Sequence, residues 1–229
     1  MKYFLNKFGR SLAILQRKRR LKNHSFSIIS NTCTGGVIAH NVGEQFRSPT
    51  VNLVIYEDQF LTFCEHLKEY SECSLEKPAD EEMEKFKHVN YPVGVLRGSD
   101  KGLSDINLFF VHYKSFEEAQ AKWYLRFKRI NYDDVFVIMD RGLDASEEIL
   151  DRFYKLPYKH KVFFTDRRDK QRWPDNFVFS FYTPRHYKSG CLYNNVWKGI
   201  YVHHWMDEFD YVTWLNDGTV KKSNFTVFQ

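Results

Sequence analysis

Three apolar runs in this chain end in residues that could share one piece of chemistry. FSIISNTCTGG (residues 26–36) ends in a Ser30-Asn31-Thr32 turn, then Cys33, then two glycines. DINLFFVH closes on His112, and VFVIMD closes on Asp140. A short apolar run followed by a polar turn and glycines reads as a buried strand leading into a helix that starts near Cys33. At a helix start, the dipole and free backbone N–H groups favour a thiolate and could hold an oxyanion. An imidazole could take the thiol proton, and a carboxylate could fix the tautomer of that ring. Asp166, at the end of KVFFTD, has the same strand-end position and competes with Asp140 as the third member. Ser30 and Asn31 would support the thiol or the oxyanion. A buried structural cysteine beside a Gly-Gly turn fits the first run equally well.

The elements that must position these residues alternate along the chain. Strands are expected at 26–30, 50–56, 92–96, 106–113, 135–139 and 161–165. Helices are expected at 34–41, 58–70, 115–130, 145–154 and 207–215. Ser115 is a good N-cap, with Glu117 and Glu118 in the first turn that follows. Residues 71–90 form a charged surface excursion, and 167–200 an aromatic, loop-rich segment. The pattern is α/β: a single domain over 23–229 with a mixed central sheet, preceded by a basic amphipathic helix over 1–22.

Composition narrows the class. The 229 residues are 43% hydrophobic and 28% charged, which suits one sizeable globular core. The net charge is +5, yet residues 1–22 carry eight bases and no acid, so the remainder is mildly acidic. A nucleic-acid-binding core is therefore not expected. The 1–22 helix could lie on an anionic inner-leaflet surface, or pack on the domain with a solvated basic end. Cys33, Cys64, Cys73 and Cys191 form no CxxC pair and read as reduced thiols of a cytoplasmic protein, with no metal site. His203-His204 lack a spaced ligand set, and Asp133-Asp134 read as a turn. There is no P-loop, GxGxxG or GxSxG element. On helix 115–130, Arg126 and Arg129 could grip the phosphates of a donor, although a solvated face is the plainer reading.

The blocks FSIISNTCTGG, RSPTVNLVIY, VHYKSFEEAQAKWYLRFKRIN and VFVIMDRG with LDRFYKLPYKHKVFFT resemble bacterial exopolysaccharide (capsule and lipopolysaccharide) biosynthesis proteins of a domain-of-unknown-function family. They span about residues 26–166. The order of Cys, His and Asp is also similar to that of papain-like cysteine enzymes, one capsule-related group of which transfers acetyl groups from acyl-coenzyme A. The resemblance implies a papain-like variant fold and a Cys33–His112–Asp140 acyltransferase. It implies acyl-CoA as co-substrate, no tightly bound cofactor, and a glycan or lipid-linked sugar as acceptor at the inner membrane face. A cysteine hydrolase, a nucleotide-sugar glycosyltransferase and a non-catalytic assembly factor are the alternatives. Thr34 stands where that family commonly has a large aromatic residue.

Overall fold

The computed structural model describes residues 2–140, 146–165, 178–180, 195–198 and 201–223. Helix α1 (Lys2–Arg20) leads into strand β1 (Ser27–Ser30) and helix α2 (Thr34–Val42). Helices α3 (Glu57–Glu65) and α4 (Leu67–Tyr70) follow, then β2 (Ser74–Glu76), α5 (Asp80–Met83), β3 (Val93–Arg97) and β4 (Ile106–Phe109). The next elements are α6 (Phe116–Phe127), β5 (Val135–Asp140), α7 (Glu147–Tyr154), β6 (His160–Thr165) and β7 (Val178–Ser180). Strands β8 (Asn195–Lys198) and β9 (Tyr201–His204) and helix α8 (Tyr211–Asp217) complete the described fold.

The α/β single domain expected from the patterning is present, with its parallel and antiparallel strands divided between two sheets. The first is parallel, in the order β1-β5-β6-β7, and the second antiparallel, in the order β2-β3-β4. Strands β8 and β9 form a separate antiparallel pair. Every residue of β1 and β5 is buried, as in a parallel sheet covered on both faces. Alternation assigns the two faces. Ile29, Val137, Met139 and Phe163 join a core that includes Phe60, Trp123, Phe127 and Phe153. Ile28, Phe136, Ile138, Val162 and Phe164 join another with Ile38, Val42, Trp214 and Leu215.

Local chemistry sets the helix ends. Ser115 Oγ accepts from Glu118 N at 3.2 Å to start α6, and Ser146 Oγ accepts from Ile149 N at 3.3 Å to start α7. Gly43, with φ of 79°, closes α2 in the left-handed conformation.

Two expected strands differ. The β-branched run 50–56 makes one isolated bridge, Val54 to Phe109, rather than a strand. Side-chain hydroxyls capture its backbone first. Thr50 N donates to Ser48 Oγ at 3.2 Å, while Thr50 Oγ1 accepts from Ser30 N at 3.0 Å. Asn52 then turns the chain with a φ of 65°. The strand expected over 106–113 stops at Phe109, because Val111 N and Tyr113 N bond to Phe109 O and Phe110 O in a turn.

The basic helix α1 is fastened to the domain along its C-terminal half. Ala13, Arg17 and Leu21 are buried, while Leu15 is 43% exposed. Arg10 and Arg17 lie 3.3 and 2.9 Å from Asp207, and Arg20 lies 2.9 Å from Asp210. The Arg17 guanidinium also stacks over the Tyr211 ring at 4.9 Å. No helix among the described residues is long and apolar enough to cross a membrane.

Candidate functional site at the carboxyl edge of the parallel sheet

Ligands of open parallel sheets collect outside the carboxyl ends of the strands. Here that edge carries Ser30 of β1 and Asp140 of β5, followed on β1 by Asn31 and the Cys33 turn.

Asn31 ties the edge together. Its Oδ1 accepts from Asp140 N at 2.8 Å and its Nδ2 donates to Asp140 O at 2.9 Å. The side-chain amide thus imitates one more residue of the parallel ladder. Asn31 O in turn accepts from Ile55 N at 2.9 Å, which brings the 50–56 segment against the same edge. Asp140 is buried, at 6% exposure.

Cys33 stands at the N-cap position of α2 without a side-chain cap bond. Its thiol is buried, with Sγ 3.9 Å from Leu53 O. Burial pushes the thiol up to about 11, against a smaller opposing effect of a backbone hydrogen bond. At neutral pH it is therefore protonated. The N–H groups expected to hold an oxyanion are also in use. Gly35 N donates to Ser30 Oγ at 3.0 Å and Thr34 N to Thr32 Oγ1 at 3.4 Å. Ser30 Oγ itself donates to Thr32 O at 2.7 Å. Ser30 thus supports the turn, not a developing charge.

The glycines serve close approach. A Cβ on Gly35 would come within 2.7 Å of Ser30 Oγ and 2.8 Å of Ile28 Cγ2, so α2 rests on β1 at this point.

His112 lies in the turn after β4, exposed to solvent. Among the described residues no hydrogen bond joins it to Cys33, whose thiol instead faces Leu53 O. The same turn sends its neighbour Tyr113 inward. Burial raises the Tyr113 phenol, Arg126 opposes this, and the Cys33 thiol is close enough to add to the rise. Tyr113 Oη donates to Val51 O at 2.8 Å and accepts from Arg126 Nη1 at 2.5 Å. The residue of this turn that packs inward is thus the phenol and not the imidazole. The aromatic contacts of Tyr113 with Phe110 at 5.4 Å, and of Phe110 with Phe116 at 6.4 Å, anchor that turn inward.

Arg126 is buried rather than solvated. Arg129 falls beyond the last turn of α6, half-buried, with no side-chain hydrogen bond among the described residues. Asp166 lies outside the described residues, as do the side chains of His203 and His204. Of the expected site residues, Ser30, Asn31, Cys33 and Asp140 therefore share one edge, and no hydrogen bond among the described residues joins His112 to the thiol. Tyr113, Thr50 and Ser48 were missed from the sequence. Tyr113 carried a signal: it is spaced three residues from both Phe110 and Phe116.

Residues 4–216 match a domain family of unknown function, DUF1919. The chain is also 29% identical, over 216 residues, to an uncharacterised protein of Haemophilus influenzae, covering 94% of this chain and 96% of that one.

Proposed function

We propose that this chain, which belongs to the DUF1919 family, is a transferase of bacterial surface-polysaccharide assembly that works at the carboxyl edge of its parallel sheet. The context comes from the sequence blocks that resemble exopolysaccharide biosynthesis proteins. The observation that carries the site is Asp140: a carboxylate at the end of a buried central strand, its backbone held on both sides by Asn31.

The chemistry proceeds by direct transfer. A hydroxyl of the glycan acceptor gives its proton to the Asp140 carboxylate as its oxygen bonds to the acyl carbon. The coenzyme leaves as a thiolate and takes up a proton from solvent. Cys33 acts as a neutral wall of this site, because its buried thiol stays protonated. The covalent route, in which Cys33 carries the acyl group, is the second reading. It draws on the uncapped position of Cys33 at the start of α2.

One set of strains separates these. In cells deleted for this reading frame and complemented with variants, Asp140→Asn is expected to abolish the acyl substituent of the surface glycan. Cys33→Ala is expected to retain it. Retention with Asp140→Asn would remove the base, and loss with a soluble, folded Cys33→Ala would establish the covalent route instead.

A further inference from the structure

Arg126 occupies a position on α6 that its neighbours mark as apolar. Ala119 and Trp123, seven and three residues before it on the same helix face, are buried. Arg126 is buried with them, at 8% exposure. Its Nη1 donates to Tyr113 Oη at 2.5 Å and to Val51 O at 3.4 Å, and its guanidinium carbon lies 5.3 Å from the centre of the Phe46 ring. All three partners are neutral, and no carboxylate pairs with it among the described residues. Arg17, at 4% exposure, shows the ordinary solution: it lies 2.9 Å from Asp207.

A buried guanidinium without a counter-charge is costly. Its partners do not require it. Tyr113 Oη already donates to Val51 O at 2.8 Å, so both groups remain bonded without the arginine. Nor is its charge spent. The guanidinium has five N–H donors, and those on Nε and Nη2 meet no acceptor among the described residues. They are not among the buried atoms that lack a partner. Two adjacent, unspent donors on a planar cation fit two oxygens of a phosphate.

We infer that Arg126, held in place by Tyr113, Val51 and Phe46, is a binding site for a phosphate group of the substrate. The inference rests on the proposed transferase for its role, since acyl-coenzyme A brings a diphosphate to the same neighbourhood. The binding itself stands apart from activity. Nε–H and one Nη2–H donate to two phosphate oxygens, and the anion supplies the missing counter-charge. Tyr113 Oη bonds both Arg126 and Val51 O, which sets this subsite against the 50–56 segment that Ile55 N ties to Asn31 O at the sheet edge.

The test is thermal unfolding and calorimetry of the full chain with inorganic pyrophosphate, against sodium chloride at equal ionic strength. Pyrophosphate is expected to raise Tm beyond chloride in the wild type. Arg126→Met is expected to lose that shift while its ligand-free Tm stays at or above wild type. Arg126→Lys, which keeps the charge but not the fork, is expected to bind pyrophosphate at least tenfold more weakly. Asp140→Asn is expected to keep the full shift, so a failed transferase reading leaves a distinct result. A wild-type shift no larger than that of chloride overturns the site, as does an equal shift in Arg126→Met. A fall in ligand-free Tm of more than about 5 °C in Arg126→Met would also overturn it, because the guanidinium would then be structural.

Discussion

At the scale of single residues, the surroundings of Cys33 decide its chemistry. With the thiol pushed up to about 11 by burial, alkylation of Cys33 by iodoacetamide is expected to stay slow through pH 8 and to rise only toward pH 11. Peptide mass spectrometry across that range checks this, and fast labelling at pH 7 would mean that a base reaches the sulfur. Gly35 makes a second, purely steric prediction. Gly35→Ala would force a methyl group to 2.7 Å from Ser30 Oγ and 2.8 Å from Ile28 Cγ2, at a cost of roughly 1–3 kcal/mol. Urea unfolding measures it, and an unchanged midpoint would show that α2 can lift off β1. The sequence made this turn legible, because strand, N-cap cysteine and paired glycines are all local signals. It did not reveal that Ser30 and Thr32 would take up the first N–H groups of the helix. Those bonds depend on a backbone path that residue types alone do not specify.

At the scale of elements, β1, β5, β6 and the helices α6 and α7 were legible, since apolar runs and caps mark them, whereas β7 falls in the 167–200 segment expected to be loop-rich. The 50–56 run was not, because the hydroxyls of Ser48 and Thr50 capture backbone that β-propensity would give to a ladder. His112 was misplaced for a related reason. Its run continues to look strand-like after the ladder has stopped at Phe109, so the strand-end position expected of the imidazole no longer applies. Charge hid the fate of α1 in the same way. A run of bases looks solvated until its acidic partners, nearly the whole chain away, are known. Asp207→Asn would remove the carboxylate 2.9 Å from the buried Arg17, and up to about 3–5 kcal/mol of stability should be lost. Replacing the pair together, as Arg17→Met with Asp207→Leu, should restore most of it. A double variant no more stable than the single one, in the same urea assay, would contradict this account.

At the scale of the whole molecule, acid tolerance should be set by ion clusters that join elements. Arg97 on β3 meets Glu82 at 2.8 Å, Asp105 at 2.9 Å and Glu76 at 3.2 Å, linking the antiparallel sheet to α5. Hydrogen bonding to Arg97 holds Glu82 down to about 2. Asp105 is also lowered, with the Arg97 bond and backbone donors outweighing its burial. A carboxylate depressed in the folded state stabilises above its unfolded value, and this contribution is lost as pH falls toward the folded one. Stability should therefore decline between about pH 4.5 and 2. Arg97→Met should flatten that decline in urea midpoints measured from pH 7 to 2, and an unchanged slope would assign acid sensitivity elsewhere.

The fastening of α1 also has a consequence in time. Arg10 and Arg20 are 197 and 190 residues from the aspartates that hold them. At about 5–20 residues per second, a growing chain carries this cationic helix for roughly 10–40 s before the ribosome has made its partners. During that interval the bases are free to adhere to any anionic surface nearby. Completion of Asp207 and Asp210 then pairs Arg10, Arg17 and Arg20 and withdraws those three charges from any such contact.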